Sequence, residues 1–248
     1  MKKIIGQTRM RNRLTKWYDA GYFPNVLFRG SPGMGKTLLA LCWGEMIQEK
    51  TDKKMFHIMC QRGKLIEVEG KDIFILDEIH NYENEENLYN IEFGLIGCTT
   101  EGAPLTEALV SRFSVFWLEP YNPLELARIT KMYAPALPSK ICFSIALRCR
   151  DCPRNARKIG EELSVLLQGS EDIGKAKKIL QQDMGIYEGG FTANDFSYMK
   201  VLQQFSTASI HTIASTTNIP IIAIREEVEP FLLRKNLIRI TPRGRTLA

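Results

Sequence analysis

No stretch of this 248-residue chain is apolar for anything near the ~18 residues that a membrane-crossing helix needs. The opening, MKKIIGQTRMRNR, has two lysines but no apolar segment of the kind a secretory leader carries. A cytoplasmic protein is therefore expected. Histidine is scarce: the three present are scattered, with no HxxxH pair. Of six cysteines (Cys42, Cys60, Cys98, Cys142, Cys149 and Cys152), only Cys149 and Cys152 form a CxxC. A structural zinc takes four ligands, so this lone pair argues for free thiols in a reducing compartment rather than a metal or redox site. Acidic residues are missing from Phe231 to Ala248, where Arg234, Lys235, Arg239, Arg243 and Arg245 stand unopposed. The net charge of +5 is compatible with nucleic acid without demonstrating it.

What is present is dominated by one stretch. Gly30 to Thr37 reads GSPGMGKT, after the apolar Val26-Leu27-Phe28 and before the helix-type LLALCWGEMI. Strand, glycine loop and helix, in that order, make a phosphate-binding loop. Gly33 and Gly35 open backbone angles closed to other residues. Successive N–H groups can then point at phosphate oxygens, with a helix N-terminus behind them, and Gly30, Ser31, Pro32, Gly33, Met34, Gly35 and Leu38 are candidate nucleotide-binding positions. Lys36 supplies an ammonium for the β- and γ-phosphates, and Thr37 a hydroxyl for Mg²⁺. A glycine turn beside a surface lysine is the plain alternative. Ile73 to His80, IFILDEIH, agrees with the first reading: four apolar residues suggest a strand buried on both faces, ending in two acids where ligands sit in open parallel sheets. Asp77 is expected in the Mg²⁺ shell, and Glu78 is expected to activate a water. Together these segments predict an NTP-binding α/β domain.

Further strands are expected at Asn25–Arg29, Met55–Met59, Asp72–Asp77, Gly94–Cys98 and Ser114–Leu118, with helices most clearly at Lys36–Glu49 and Pro104–Ser111. That alternation implies a parallel sheet covered on both faces. Met10 to Ala20 is amphipathic, with Leu14, Trp17 and Tyr18 on one face and Gly21 closing it. Gln61 to Lys64 is a basic turn, either a solvated loop or a DNA-facing one. Thr100, after a buried strand, is a candidate for orienting water or sensing the γ-phosphate. Arg112 is either a surface ion-pair residue or an arginine finger lent to a neighbouring subunit; its place after that strand favours the finger. Beyond Tyr121 the chain turns helical, and Arg154, behind Pro153, sits at a helix start within reach of a phosphate. Glycines at 169, 174, 185, 189 and 190 suggest a boundary over Gln168–Gly190. Helices at Asp195–Phe205, Ser209–Thr216 and Pro220–Lys235 and a hairpin from Leu237 to Leu247 form a winged helix, a shape that meets nucleic acid or a protein partner.

These motifs resemble the RuvB family of AAA+ ATPases nearly end to end. IIGQ (Ile4–Gln7) resembles the family's opening segment, NVLFRGSPGMGKT its Walker A, IFILDEIH its Walker B, LIGCTT its sensor 1, SRF its arginine-finger segment, EPYNPLEL the approach to its lid and CPRNA its sensor 2. EPFLLRKNLIRITPRGR is similar to its winged-helix end. The resemblance implies an AAA+ P-loop core with a five-stranded parallel sheet (1–121), a small helical lid (122–185) and a winged-helix domain (186–248). It implies ATP and Mg²⁺ as ligands. Ile4, Ile5 and Tyr121 would border the adenine, Arg154 would be the sensor 2 arginine and Arg112 a finger acting in trans. Arg239, Arg243 and Arg245 would meet DNA, and the chain would form a homo-oligomer, a hexameric ring with ATP. The segment between His80 and Leu95 is 14 residues (81–94), much shorter than the family's, which carries a hairpin that docks RuvA; this puts a RuvA-type partner in question.

Three functions follow. One is an ATP-driven motor on duplex or branched DNA. Another is an ATP-switched loader or initiator that binds a replicative helicase, and the third is a DNA-binding regulator in which nucleotide is structural.

Overall fold

The computed structural model describes residues 4–64, 72–89, 91, 94–100 and 102–248. Its backbone divides into two units, residues 1–129 with 152–155, and residues 130–151 with 156–248.

In the first unit β1 (Val26–Arg29), β2 (Met55–Met59), β3 (Ile73–Asp77), β4 (Leu95–Thr99) and β5 (Ser114–Trp117) form one sheet in the order β2-β3-β4-β1-β5, with every pairing parallel. Each expected strand is found within a residue of its expected ends. The two central strands, β3 and β4, are buried at every position, as their unbroken apolar runs require. Register aligns the carboxyl ends of three strands: Leu76 pairs with Gly97, Phe28 with Cys98 and Arg29 with Thr99. Gly97 permits this packing, because a Cβ there would lie 2.8 Å from Leu27 Cδ1 and 3.1 Å from Ile79 Cδ1. Helix α1 (Thr8–Asp19) buries Met10 and Leu14, and α2 (Lys36–Thr51) buries Trp43 and Ile47. Trp17, Trp43, Phe28 and Phe116 form an aromatic cluster with centroids 5.6–6.4 Å apart.

Two short helices follow β3 and β4, α3 (Glu85–Leu88) and α4 (Glu107–Val110). The helix expected over Pro104–Ser111 is shorter than the sequence suggested. The Thr106 hydroxyl accepts from Leu109 N–H at 3.2 Å, and this N-cap sets the start, leaving Pro104 and Leu105 outside.

Helix α5 (Pro123–Tyr133) leaves the first unit. The second contains α6 (Ser139–Ala146), most of α7 (Pro153–Leu167) and α8 (Ile173–Gln182), followed by α9 (Ala193–Phe205) and α10 (Ile210–Thr217). Helix α8 lies where glycines had suggested only a boundary; Asp172 caps it through Gly174 N–H at 2.7 Å, and Ala176, Ile179 and Leu180 bury one face. The last helix runs in three pieces: α11 (Ile221–Ala223), a π-helical stretch Ile224–Val228, and α12 (Glu229–Arg234). Pro230, lacking an N–H, cannot close an α-helical bond back to Glu226, which accounts for the widened turn before it. Pro220 stands at the N-cap of this helix, not in its first turn. Strands β6 (Ile238–Thr241) and β7 (Gly244–Leu247) pair antiparallel as the wing.

Tyr198, Val201 and Leu202 of α9 pack with Ile210 and Ile213 of α10, Ile224, Val228, Phe231 and Leu232 of the last helix, and Ile238 of the wing. Each such burial contributes about 1.5–3 kcal/mol. Arg150 pins this core to the preceding helices. It donates to the carbonyls of Gly190 at 2.9 Å and Glu227 at 3.0 Å and to Thr192 Oγ1 at 3.1 Å, pairs with buried Asp195, and lies 4.3 Å from the Phe231 ring centroid.

Candidate nucleotide site and nucleic-acid interface

The glycine loop leaves β1 at Gly30, whose N–H donates to the Thr99 carbonyl at 3.4 Å. Gly33 (φ +79°) and Gly35 (φ +94°) hold left-handed angles, so the loop turns into α2 in a conformation that disfavours side chains. Lys36 is buried and donates to the Gly30 carbonyl at 2.8 Å and the Ser31 carbonyl at 3.2 Å. Burial lowers its pKa, while the Glu78 charge, then Cys98 and Asp77, raise it, and Arg154 lowers it. The ammonium and the two carboxylates thus share one electrostatic environment at the sheet edge.

Thr37 Oγ1 donates to Asp77 Oδ2 at 2.6 Å. A hydroxyl beside a buried carboxylate is the hard-oxygen pair that Mg²⁺ takes while keeping waters and phosphate oxygens for its other positions. Among the described residues no group of three or more His, Cys, Asp and Glu could hold a metal ion, and such a shared site needs none. Glu78 follows in a left-handed conformation (φ 53°), with its N–H donating to Asp77 Oδ1 at 3.1 Å. Its Oε2 is buried without a hydrogen-bond partner and lies 3.4 Å from His80 Nδ1.

Ile4, Met34 and Tyr121 are buried and Ile5 is half-buried. The Tyr121 hydroxyl donates to the Met34 carbonyl at 3.2 Å, and its ring lies 2.9 Å from where a Gly6 Cβ would sit. Gln7 clamps the same corner, donating to the Glu119 carbonyl at 2.7 Å and accepting from Glu119 N–H at 2.9 Å. Arg154 approaches the loop from the start of α7, donating its N–H to the Gly33 carbonyl at 3.2 Å with its side chain exposed. Cys152 reaches the same glycine: a Cβ on Gly33 would lie 2.6 Å from its Sγ. Leu38 is exposed and Ser31 half-buried, and the Pro32 carbonyl accepts weakly from Cys152 Sγ at 3.9 Å.

Residues 188–248 match the model of the RuvB C-terminal winged helix domain. The whole chain is 28% identical to the Holliday junction branch migration complex subunit RuvB of Ehrlichia canis, across 89% of that protein. The same identity holds over 98% of the chain and 86% of the subunit from Nitratiruptor sp.. Its fold matches that of the Thermotoga maritima RuvB Holliday junction branch migration motor with a TM-score of 0.78 and 24% identity, over 98% of this chain and 92% of that one. The chain thus resembles RuvB along nearly its whole length, and its residues 188–248 match that family's winged-helix model. A looser likeness of fold, with a TM-score of 0.55 and 19% identity over 72% of this chain and 92% of that one, relates it to domain III of the T. maritima replication initiation protein DnaA.

In this RuvB-like chain the remaining candidates lie apart from the loop's own contacts. Arg112 is exposed; it donates to the Tyr89 carbonyl at 2.6 Å and stacks over that ring at 4.6 Å. Thr100 lies one residue past β4, whereas it is Thr99, fully buried, whose hydroxyl meets His80 Nδ1 at 3.1 Å. In the wing, Arg239 and Arg243 are exposed. Arg245 is turned inward: its Nε donates to Glu229 Oε1 at 2.8 Å, and the Tyr198 hydroxyl donates to the same oxygen at 2.9 Å. The Glu229 hydrogen bond raises the Arg245 pKa. Arg245 thus ties the wing to α12, and its guanidinium is committed within the fold. Among the described residues of 82–94, α3 is the only regular element. The Gln61–Lys64 turn is held by Arg62 Nε donating to Asn81 Oδ1 at 3.3 Å and Gly63 N–H to Glu83 Oε1 at 2.6 Å; residues 65–71 lie outside the described residues.

The sequence reading gave no site role to His80, Thr99, Cys152 or Gln7, although each lies in a motif segment it singled out.

Proposed function

We propose that this chain is an ATP-hydrolysing DNA motor of the RuvB type, assembling as a ring and acting on duplex or branched DNA in Holliday-junction branch migration. The observation that carries this reading is the coincidence, in one chain, of two features. Lys36, Thr37, Asp77 and Glu78 converge at one sheet edge, and a RuvB-type winged helix follows.

The chain's own groups suggest the division of labour. The loop N–H groups and Lys36 bind the phosphates; for this Lys36 exchanges its carbonyl partners Gly30 and Ser31 for phosphate oxygens. Thr37 and Asp77 would hold Mg²⁺, which would supply Lewis-acid stabilisation of phosphate charge. Glu78 orients a water and takes its proton. Arg154, exposed beside Gly33, serves the same phosphates, and exposed Arg112 is presented to a neighbouring protomer's site. Thr100 is retained as a γ-phosphate contact. Residues 1–121, 122–185 and 186–248 are taken as the ATPase, lid and winged-helix domains, and the setting as cytoplasmic. On the wing, Arg239 and Arg243 contact phosphates, while Arg245 supports them.

A second reading, an ATP-switched loader of a replicative helicase, draws on the segment 81–94, where the described residues carry the one-turn helix α3. That brevity also leaves a RuvA-type partner unsupported. A mobile synthetic four-way junction separates the two readings. The motor converts it to two duplexes only while ATP is hydrolysed. ATP hydrolysis without junction movement, together with retention of a replicative helicase, selects the loader.

A further inference from the structure

The buried oxygen of Glu78 is the least satisfied atom at the site. Glu78 Oε2 is shielded from solvent and accepts no hydrogen bond, an arrangement that costs about 1–3 kcal/mol, more for a charged group, unless a donor is brought to it. A donor-capable atom, His80 Nδ1, is placed beside it at 3.4 Å. That nitrogen also lies 3.1 Å from Thr99 Oγ1. The backbone makes this meeting. Glu78 takes a left-handed turn, and the single 3₁₀ turn Ile79–Asn81, closed by Asn81 N–H on the Glu78 carbonyl at 2.9 Å, swings His80 back over the end of β4. Thr99 in turn accepts, through its carbonyl, from the first N–H of the glycine loop.

We propose that His80 is a positioning residue for Glu78. Its Nδ1–H, shared between the Thr99 hydroxyl and Glu78 Oε2, fixes the carboxylate that addresses the water. The Nδ1–H tautomer serves both acceptors; the other would set a lone pair against the carboxylate. Cys60 and Cys98 also border Asp77 and Glu78, but burial, then the Asp77 charge, raise both thiols, so neither offers an ionised group to compete. His80 therefore links the loop's first residue, the end of β4 and the catalytic carboxylate in one chain of contacts: Gly30, Thr99, His80, Glu78. This inference rests on the ATPase reading above and names one more residue in it.

The test compares His80→Phe, which keeps a ring and removes the donor, with His80→Asn, whose amide N–H can replace Nδ1–H. Steady-state ATP hydrolysis and binding of a fluorescent ATP analogue are measured for both, with wild type and Glu78→Gln as references. The expected result is a fall in kcat of about 10- to 100-fold for His80→Phe, the range for lost supporting hydrogen bonds. KM and analogue affinity should stay within about twofold, because the interaction is made to the base and not to the nucleotide. His80→Asn should recover most of kcat. If His80→Phe turns over like wild type while Glu78→Gln is inactive, the inference is overturned and the ATPase reading stands. Equal losses in Phe and Asn variants also overturn it, since ring packing alone would then explain them. A wild-type protein that hydrolyses no ATP overturns both.

Discussion

Placing a methyl group on Gly33 tests the geometry of the loop against the segment that packs on it. Alanine at φ +79° costs about 1–2 kcal/mol in a left-handed backbone. The added Cβ would also lie 2.6 Å from Cys152 Sγ and 3.1 Å from Arg154 Cβ, well inside the ~3.5–4.0 Å of an unstrained contact. Relieving that overlap costs roughly 1–3 kcal/mol more. If the loop binds nucleotide in this form, Gly33→Ala weakens binding by the sum, about 2–5 kcal/mol, or about 30-fold to several thousandfold. Removing Sγ relieves the largest overlap and leaves the backbone cost, so Cys152→Ala in the Gly33→Ala background should recover roughly 1–3 kcal/mol. The assay is titration of a fluorescent ATP analogue into wild type, each single variant and the double. Strict additivity would refute the reasoning, because it would mean Cys152 does not rest on Gly33 when nucleotide is bound.

Other outcomes follow from the same geometry. Arg239→Ala with Arg243→Ala should weaken duplex DNA binding and reduce the slope of log affinity against log salt by roughly one to two, with thermal stability unchanged; an unaltered slope would assign the wing to a protein partner. Arg245→Ala should instead unfold the winged helix more readily, by about 3–5 kcal/mol, since it strands buried Glu229; denaturant melts report it. Burial, then the Asp77 and Glu78 charges, push the Cys60 thiol up from 9.0 to about 11. The folded state therefore keeps this proton after the unfolded chain has lost it, and the resulting stability is full below pH 9 and lost as pH rises through 11. Cys60→Ala should flatten that alkaline loss, read as the change in Tm between neutral and alkaline buffer; an unchanged alkaline loss would contradict it.

The elements legible in the sequence were those set by neighbours along the chain. The strands around Ile73–Asp77 and Leu95–Thr99 announce themselves as apolar runs, and the glycine loop is a local conformational demand written into adjacent residues. Helix α8 was hidden because Gly169, Gly174 and Gly185 outweighed the spacing of Ala176, Ile179 and Leu180, and because the Asp172 cap makes a glycine tolerable in the first turn. The partners of site residues were less visible. Thr99 rather than Thr100 reaches His80 because sheet register, not composition, decides which hydroxyl faces it. Cys152 meets Gly33 across more than a hundred residues of chain. Arg239 and Arg245 look alike in a basic tail. The ladder puts Arg245 opposite Ile240 and Arg239 opposite Thr246, so successive positions point to opposite faces, and one arginine turns to Glu229 while the other meets solvent.

The central claim is that Glu78 drives hydrolysis of a triphosphate held by Lys36, Thr37 and Asp77. Single-turnover hydrolysis of bound ATP by Glu78→Gln, with and without four-way junction DNA, tests it most directly. The account predicts that the variant binds ATP as tightly as wild type and fails to release phosphate on the wild-type timescale. Phosphate release at the wild-type rate, or loss of ATP binding in the variant, would contradict it.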